Sequence, residues 1–323
     1  MENLERADAG RSSPPASPGA PERPSEASPT RAADVLALTK PGITLLILAV
    51  AVGGFVLADP RTIDPWRLIA LLVTGAAASA GASMLNHYLD RDVDERMRRT
   101  RQRPIPSRRI APGWAVGVAG LVLLGAGVGS AAVVLNLLAA FSIALGGVTY
   151  VVVYTAWLKR RSSWNIVIGG FAGSAPALAG SAAATGGWTL GAIALALLVF
   201  LWTPPHFWSL ALLLREDYAR VGLPMLPRMH DLAYSGKVVV VSAALLVPAA
   251  GFLAVSGSVA WPVGLAAVAL GVLWVALALP LWQTVTREVA RRGFIFSGPY
   301  LLAVVGLVLA NAGLLRVGVP ALG

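Results

Sequence analysis

Read by its hydrophobic positions, the chain is a series of long apolar runs divided by short polar breaks. Nine runs stand out, at 39–58, 66–89, 113–131, 133–155, 164–184, 188–213, 236–256, 260–282 and 297–316. A helix of about 20 residues rises far enough to cross the roughly 30 Å hydrocarbon core of a bilayer. The pattern therefore predicts an all-α polytopic membrane protein, a bundle of about nine transmembrane helices. Many runs are rich in small residues, as in GAAASAGAS and IGGFAGSAPALAGSAAA. Small side chains let helices pack closely. They also suit the wall of a wide central cavity, and the pattern alone leaves both readings open.

Residues 1–33 differ in kind. They are rich in Pro, Ser, Ala and Arg and show no apolar periodicity. Such composition predicts a disordered tail ahead of one membrane domain at 34–323. No apolar core follows a basic start, so the tail does not read as a secretory signal. Glu2, Glu5, Asp8, Glu22 and Glu26 argue against a mitochondrial transit peptide.

The breaks between runs fix a sidedness. The second break holds Arg91, Arg96, Arg98, Arg99, Arg101, Arg103, Arg108 and Arg109. The fourth holds Lys159, Arg160 and Arg161, the sixth Arg215, Arg220 and Arg228, and the eighth Arg287, Arg291 and Arg292. The alternate breaks ADPRTIDP, ATGG and VSGSVA share a single arginine. Basic loops stay in the cytoplasm, so this face and the N-terminus are expected inside, with the cavity open to that side. The localisation expected is a cell membrane, that of a bacterium if composition is a guide.

Composition agrees with this picture. Apolar residues make up 56% and charged residues only 13%, against about 25% charged in soluble domains. The net charge of +10 is accounted for by cytoplasmic loops in contact with the lipid bilayer, and no nucleic-acid partner is expected. The chain has no cysteine. That excludes disulfides, thiolate nucleophiles and cysteine-held zinc.

The chemistry concentrates at the end of the second run. Asn86, Asp90 and Asp94 are spaced i, i+4, i+8. Each step turns a helix by only about 40°, so the three side chains share one face. Carboxylates one turn apart repel unless a cation lies between them, and magnesium is commonly held by one or two carboxylates plus phosphate oxygens. A basic stretch, RTRQRP, follows at once. Asp92 points to another face and reads as a solvated or structural partner.

The pattern N-x-x-x-D-x-x-x-D followed by RTRQRP resembles the first aspartate-rich motif of the UbiA-type intramembrane prenyltransferases. The segment LNHYLDRDVDERMRRTRQRPIPS is similar to the heme branch of that superfamily, the protoheme IX farnesyltransferases. LTKPGIT at 38–44, YTAWLKRRSSWNIVIGGFAGSAPALAG at 154–180 and PPHFWSLALLLREDYARVGLPMLP at 204–227 carry the same likeness. It covers nearly all of 35–316.

The resemblance implies a helical bundle around a central cavity and a transferase that moves a farnesyl group from farnesyl diphosphate to a vinyl group of protoheme IX, giving heme O. It implies magnesium (Mg2+) held by Asn86, Asp90, Asp94 and Asp217, the same four being the catalytic candidates. Cationic candidates for the diphosphate are Lys40, Arg101, Arg103, Lys159, Arg160 and Arg215. Tyr218 belongs to the second acidic cluster, which is degraded here because Leu213 and Leu214 stand in place of an earlier carboxylate. His206, in PPHFW, is the candidate to face heme, and its two prolines are expected to break or kink the sixth run. His87 and His230 have weaker claims. A downstream heme-modifying enzyme is the implied receiver of the product. Two other functions fit the coarse pattern: a prenyltransferase acting on an aromatic quinone precursor, and a small-solute transporter. The clustering of ionisable groups at one face, with no clear internal repeat, argues against the transporter.

Overall fold

The computed structural model describes residues 32–322. The reading of residues 1–31 as a tail therefore lies outside the described residues. Nine helices among them are long and apolar enough to cross a membrane. They run Pro41–Ala58, Pro65–Leu89, Gly113–Val134, Leu137–Arg160, Asn165–Thr185, Leu190–Leu213, Leu232–Val255, Trp261–Trp282 and Arg287–Arg316, and are numbered here as spans 1 to 9. The protein is thus an all-helical, multi-pass membrane protein.

Local chemistry sets several boundaries. Asp64 caps span 2 by accepting from the amides of Trp66 and Arg67, with Pro65 at the first helical position. Thr189 caps span 6 and Asp231 caps span 7 in the same way. A short helix, Ala32–Leu38, precedes span 1 and includes the last two residues of the stretch read as tail. Its Asp34 pairs with Arg109 at 2.9 Å.

Two expectations need correction. Span 9 begins at Arg287, ten residues before the apolar run starts. Thr286 accepts from the Val289 amide, Glu288 pairs with Arg292 one turn on, and Ala290 and Gly293 are buried. A capped amphipathic extension is invisible to a search for continuous apolarity. Span 6 runs unbroken through Pro204 and Pro205. The prolines remove two backbone donors, but Leu190–Leu213 is buried along much of its length and neighbouring helices hold it.

Span 2 packs along span 3, span 1 along span 5, and span 4 along span 5. Span 6 touches spans 1, 5, 7 and 9. The largest apolar core joins spans 6 to 9, around fully buried Trp274 and Tyr300. Where spans 1 and 5 cross, only glycine fits: a β-carbon on Gly180 would lie 1.9 Å from the Ala51 carbonyl oxygen, and one on Gly54 would lie 2.0 Å from that of Ala177. Other small residues, among them Gly146, Gly173 and Ala175, line an internal cavity. The small residues therefore serve both purposes left open by the sequence.

Candidate active site

The cavity, of about 820 Å³, is bounded chiefly by spans 1, 2, 4, 5 and 6 and receives Phe294 and Leu301 from span 9. Its polar end lies where the basic breaks gather. Span 2 ends at Leu89, and the chain turns through Asp90 into a short helix, Arg91–Arg96. The Asp94 amide still donates to the Asp90 carbonyl at 2.8 Å, so the helical register carries across the break. Asn86, Asp90 and Asp94 consequently all line the cavity, each at most 3% exposed.

Cations from three other segments converge on this face. Lys159 Nζ, just past a π-helical stretch over Thr149–Trp157, donates to Asp90 Oδ2 at 2.5 Å. Arg103 Nη1 donates to Asp94 Oδ2 at 2.6 Å. Lys40 Nζ donates to Asn86 Oδ1 at 2.6 Å and to the Tyr150 hydroxyl at 3.0 Å. The Asn86 amide nitrogen in turn donates to Asp90 Oδ2 at 2.9 Å and to Thr155 Oγ1 at 3.0 Å. Lys40 heads span 1 with φ 48°, a left-handed conformation that costs a non-glycine residue about 1–2 kcal/mol. Strain of this kind collects at functional sites. Burial, followed by Arg103 and Lys159, lowers the Lys40 pKa to about 7.

Two carboxylates and three cations leave the group with an excess of one positive charge when all are ionised. A diphosphate ester carrying one magnesium ion has an excess negative charge of comparable size, so the two are complementary. Asp90 Oδ1 is buried and has no hydrogen-bond partner, which is costly for a carboxylate and marks a place for a further cation. No cluster of three His, Cys, Asp or Glu residues suited to a metal exists among the described residues. A metal here would rely on phosphate oxygens to complete its shell, as magnesium commonly does. The donor set fits a magnesium diphosphate.

Other candidates are placed elsewhere. Asp92 is bound bidentately by Arg160, both bonds at 2.7 Å, and that guanidinium holds its carboxyl below the usual range. This removes Arg160 from the cavity. Arg101 is exposed and does not line it. Asp217 pairs with Arg220 at 3.2 Å, and Arg215 is exposed; neither lines the cavity, whereas Tyr218 does. Adjacent helical residues point about 100° apart, so with Tyr218 facing inward Asp217 cannot share its direction.

His206 does line the cavity. Its ring stacks on Trp202 with centroids 4.3 Å apart and on Phe294 at 5.1 Å, and Nδ1 lies 2.5 Å from the Ser297 hydroxyl. These flat side chains form an aromatic wall in the same chamber as the charged group. Sequence reasoning missed Tyr150 and Thr155, which sit inside an apolar run and whose polar atoms carry no spacing signal. His87 is buried beside Asn86 and also lines the cavity. His230 is exposed.

Comparison with known proteins places this architecture. The chain is 41% identical over 290 residues to protoheme IX farnesyltransferase 1 of Cenarchaeum symbiosum, covering 87% of this chain and 96% of the relative. It is 40% identical over 299 residues to the protoheme IX farnesyltransferase of Thermosynechococcus vestitus, covering 91% and 94%. Among solved structures, that of digeranylgeranylglyceryl phosphate synthase superposes with a TM-score of 0.74 at 15% identity, over 87% of this chain and 98% of that one. A UbiA homologue from Archaeoglobus fulgidus bound to GPP and Mg2+ gives 0.64 at 16% identity, over 85% and 99%. Those distant likenesses show the fold alone. The sequence pattern of the UbiA prenyltransferase family matches residues 46–301. With the closer relatives, it establishes that the chain belongs to the UbiA prenyltransferase family, in its protoheme IX farnesyltransferase branch.

Proposed function

We propose that this prenyltransferase moves the farnesyl group of farnesyl diphosphate to a vinyl group of protoheme IX, making heme O. The observation that carries the reading is the union, in one cavity, of a cation-rich carboxylate face at Asp90 and Asp94 with an aromatic wall at Trp202, His206 and Phe294. One end suits a diphosphate and the other a flat porphyrin.

Lys40, Lys159 and Arg103 hold the diphosphate oxygens and stabilise the charge that gathers on them as the C1–O bond breaks. Asp90 and Asp94, with Asn86, would hold magnesium, which when bound neutralises part of the diphosphate charge and eases its departure. Tyr150 and Thr155 position Lys40 and Asn86. Gly75, Ala78, Ala82, Ile143 and Gly146 line the apolar part of the cavity and keep water from the allylic cation. The terminal vinyl carbon bonds to farnesyl C1. A water oxygen adds at the inner vinyl carbon and releases a proton, which leaves a hydroxyethylfarnesyl arm. The His206 wall orients the porphyrin for this step.

The arginine-bearing end of the bundle is taken as cytoplasmic, which places farnesyl diphosphate on the side of its soluble supply. The test is release of diphosphate by the purified protein. Release from farnesyl diphosphate should require both magnesium and protoheme and should stop with EDTA. Release that an aromatic acid supports and protoheme does not would assign the protein to a quinone precursor instead.

A further inference from the structure

Among the described residues, four buried side-chain polar atoms on spans 6, 8 and 9 have no hydrogen-bond partner: Trp208 Nε1, Ser209 Oγ, Trp274 Nε1 and Tyr300 OH. None belongs to a residue that lines the cavity. Ser209, Trp274 and Tyr300 are each 0% exposed. An indole N–H can only donate, so Trp274 requires an acceptor, and a polar atom left unmatched at this depth is costly.

Two of these atoms flank one glycine. A β-carbon on Gly293 would lie 3.4 Å from Ser209 Oγ and 3.9 Å from Trp274 Nε1, with no other heavy atom within 4 Å beyond the helix's own backbone and the glycine's chain neighbours. Gly293 thus leaves room, beside a hydroxyl and an indole donor, for a molecule the size of water. Tyr300 packs against Trp274 with ring centroids 5.1 Å apart, and it stands seven residues after Gly293 on the same face of span 9. The aromatic wall is close by. Trp202 Nε1 donates to the Ser297 carbonyl at 2.8 Å, His206 Nδ1 meets the Ser297 hydroxyl, and one turn further along the antiparallel spans 6 and 9 Ser209 meets Gly293. Phe294, the next residue after Gly293, stacks on His206.

We propose that Ser209, Trp274 and Tyr300, around the space left by Gly293, bind the water molecule that hydrates the inner vinyl carbon. The assignment rests on the heme reading above. That reaction makes two opposed demands. Water must be kept from the allylic cation, yet one water must reach the acceptor. A water held next to the aromatic wall but outside the cavity lining meets both. Buried waters typically make about three hydrogen bonds, and this site offers one indole donor and two hydroxyls. Once farnesyl C1 has bonded to the terminal vinyl carbon, the inner carbon carries the positive charge. A lone pair of the water forms the C–O bond, and one O–H bond breaks. The proton passes to His206. The Ser297 hydroxyl donates to the Phe294 carbonyl, so its oxygen accepts from Nδ1–H, and Nε2 is left as the acceptor. Where no water is at hand, the charge is lost as a proton from the new methylene group, which leaves an alkene lighter by one water.

The test uses purified full-length protein with farnesyl diphosphate, magnesium and protoheme, and it reads diphosphate release together with the masses of the product hemes. Gly293→Ala fills the space at ordinary contact distances, and Ser209→Ala and Trp274→Phe each remove one hydrogen-bonding group. Gly306→Ala, at an exposed position of span 9 with nothing within 4 Å, is the control. Gly293→Ala should lower the ratio of hydroxylated to dehydrated farnesyl heme about ten-fold, and the other two about three-fold each, as loss of hydrogen bonds to one water does. Diphosphate release should stay within about three-fold of wild type, because the farnesyl end is untouched. An unchanged product ratio in Gly293→Ala and both companions would overturn the assignment. So would a parallel fall in diphosphate release and hydroxylated heme with no dehydrated product, which is the mark of a purely structural role. If wild type makes no farnesylated heme of either kind, the heme reading itself falls, a result distinct from any change in the product ratio.

Discussion

Lys159 Nζ lies 2.5 Å from Asp90 Oδ2, although 69 residues separate them in the chain. The contact ties the C-terminal end of span 4 to that of span 2. It does two things at once. It offsets the cost of burying a carboxylate that is 1% exposed, and it places an ammonium where a diphosphate oxygen would come. Asp90 keeps its other oxygen unpartnered, so the pair remains open to a further cation. Asp94 and Arg103 repeat the arrangement one turn away.

The aspartates should separate sharply by mutation. Asp90→Asn or Asp94→Asn should cost two to three orders of magnitude in kcat, as loss of a transition-state contact of about 3–4 kcal/mol does. Asp92→Asn should cost less than about ten-fold, because it breaks only the exposed pair with Arg160. Steady-state rates of the three variants decide the matter. Equal damage from all three would mean that this segment is a general acidic patch.

His206 should affect the acceptor more than the donor. Its ring is stacked between Trp202 and Phe294 and tied to Ser297, away from the diphosphate cations. His206→Ala is expected to raise KM for protoheme by about ten-fold, with KM for farnesyl diphosphate within about two-fold. Ser297→Ala should show the same pattern more weakly. A change confined to farnesyl diphosphate would place His206 at the wrong end of the cavity.

Glycine substitutions should divide by place. Gly180→Ala forces a methyl group against the Ala51 carbonyl at 1.9 Å and the Phe55 amide nitrogen at 2.7 Å. Overpacking costs about 1–3 kcal/mol and more where backbone must move. The variant should lose thermal stability or fail to accumulate. Gly173→Ala meets only Val199, at 3.9 Å, and should melt close to wild type. Thermal unfolding in detergent tests both, and equal melting of the two would contradict the packing described for spans 1 and 5.

Much of the fold was legible in the sequence because a bilayer demands long apolar runs, and these identify themselves. The directions of Asn86, Asp90 and Asp94 were legible because helical spacing fixes a face. The limits have equally physical causes. The start of span 9 is amphipathic, so its arginines read as a loop. The prolines of span 6 read as a break because tertiary support for a helix leaves no local mark. Asp217 joined the site through the family resemblance of the second acidic cluster and Arg160 as a cation after span 4, but Asp217 pairs with Arg220 outside the cavity lining and Arg160 is taken by Asp92. Tyr150 and Thr155 complete the network around Lys40 and Asn86 from within an apolar run.

Pigment analysis of membranes containing this chain tests the central claim most directly. Supplied with farnesyl diphosphate, protoheme and magnesium, such membranes should convert protoheme to a more hydrophobic heme whose mass is greater by one farnesyl group and one hydroxyl group, as read by chromatography and mass spectrometry. Membranes carrying Asp90→Asn should show almost none of it. Unchanged heme alongside a prenylated aromatic acid would contradict the account, leaving a UbiA-family prenyltransferase with a different acceptor.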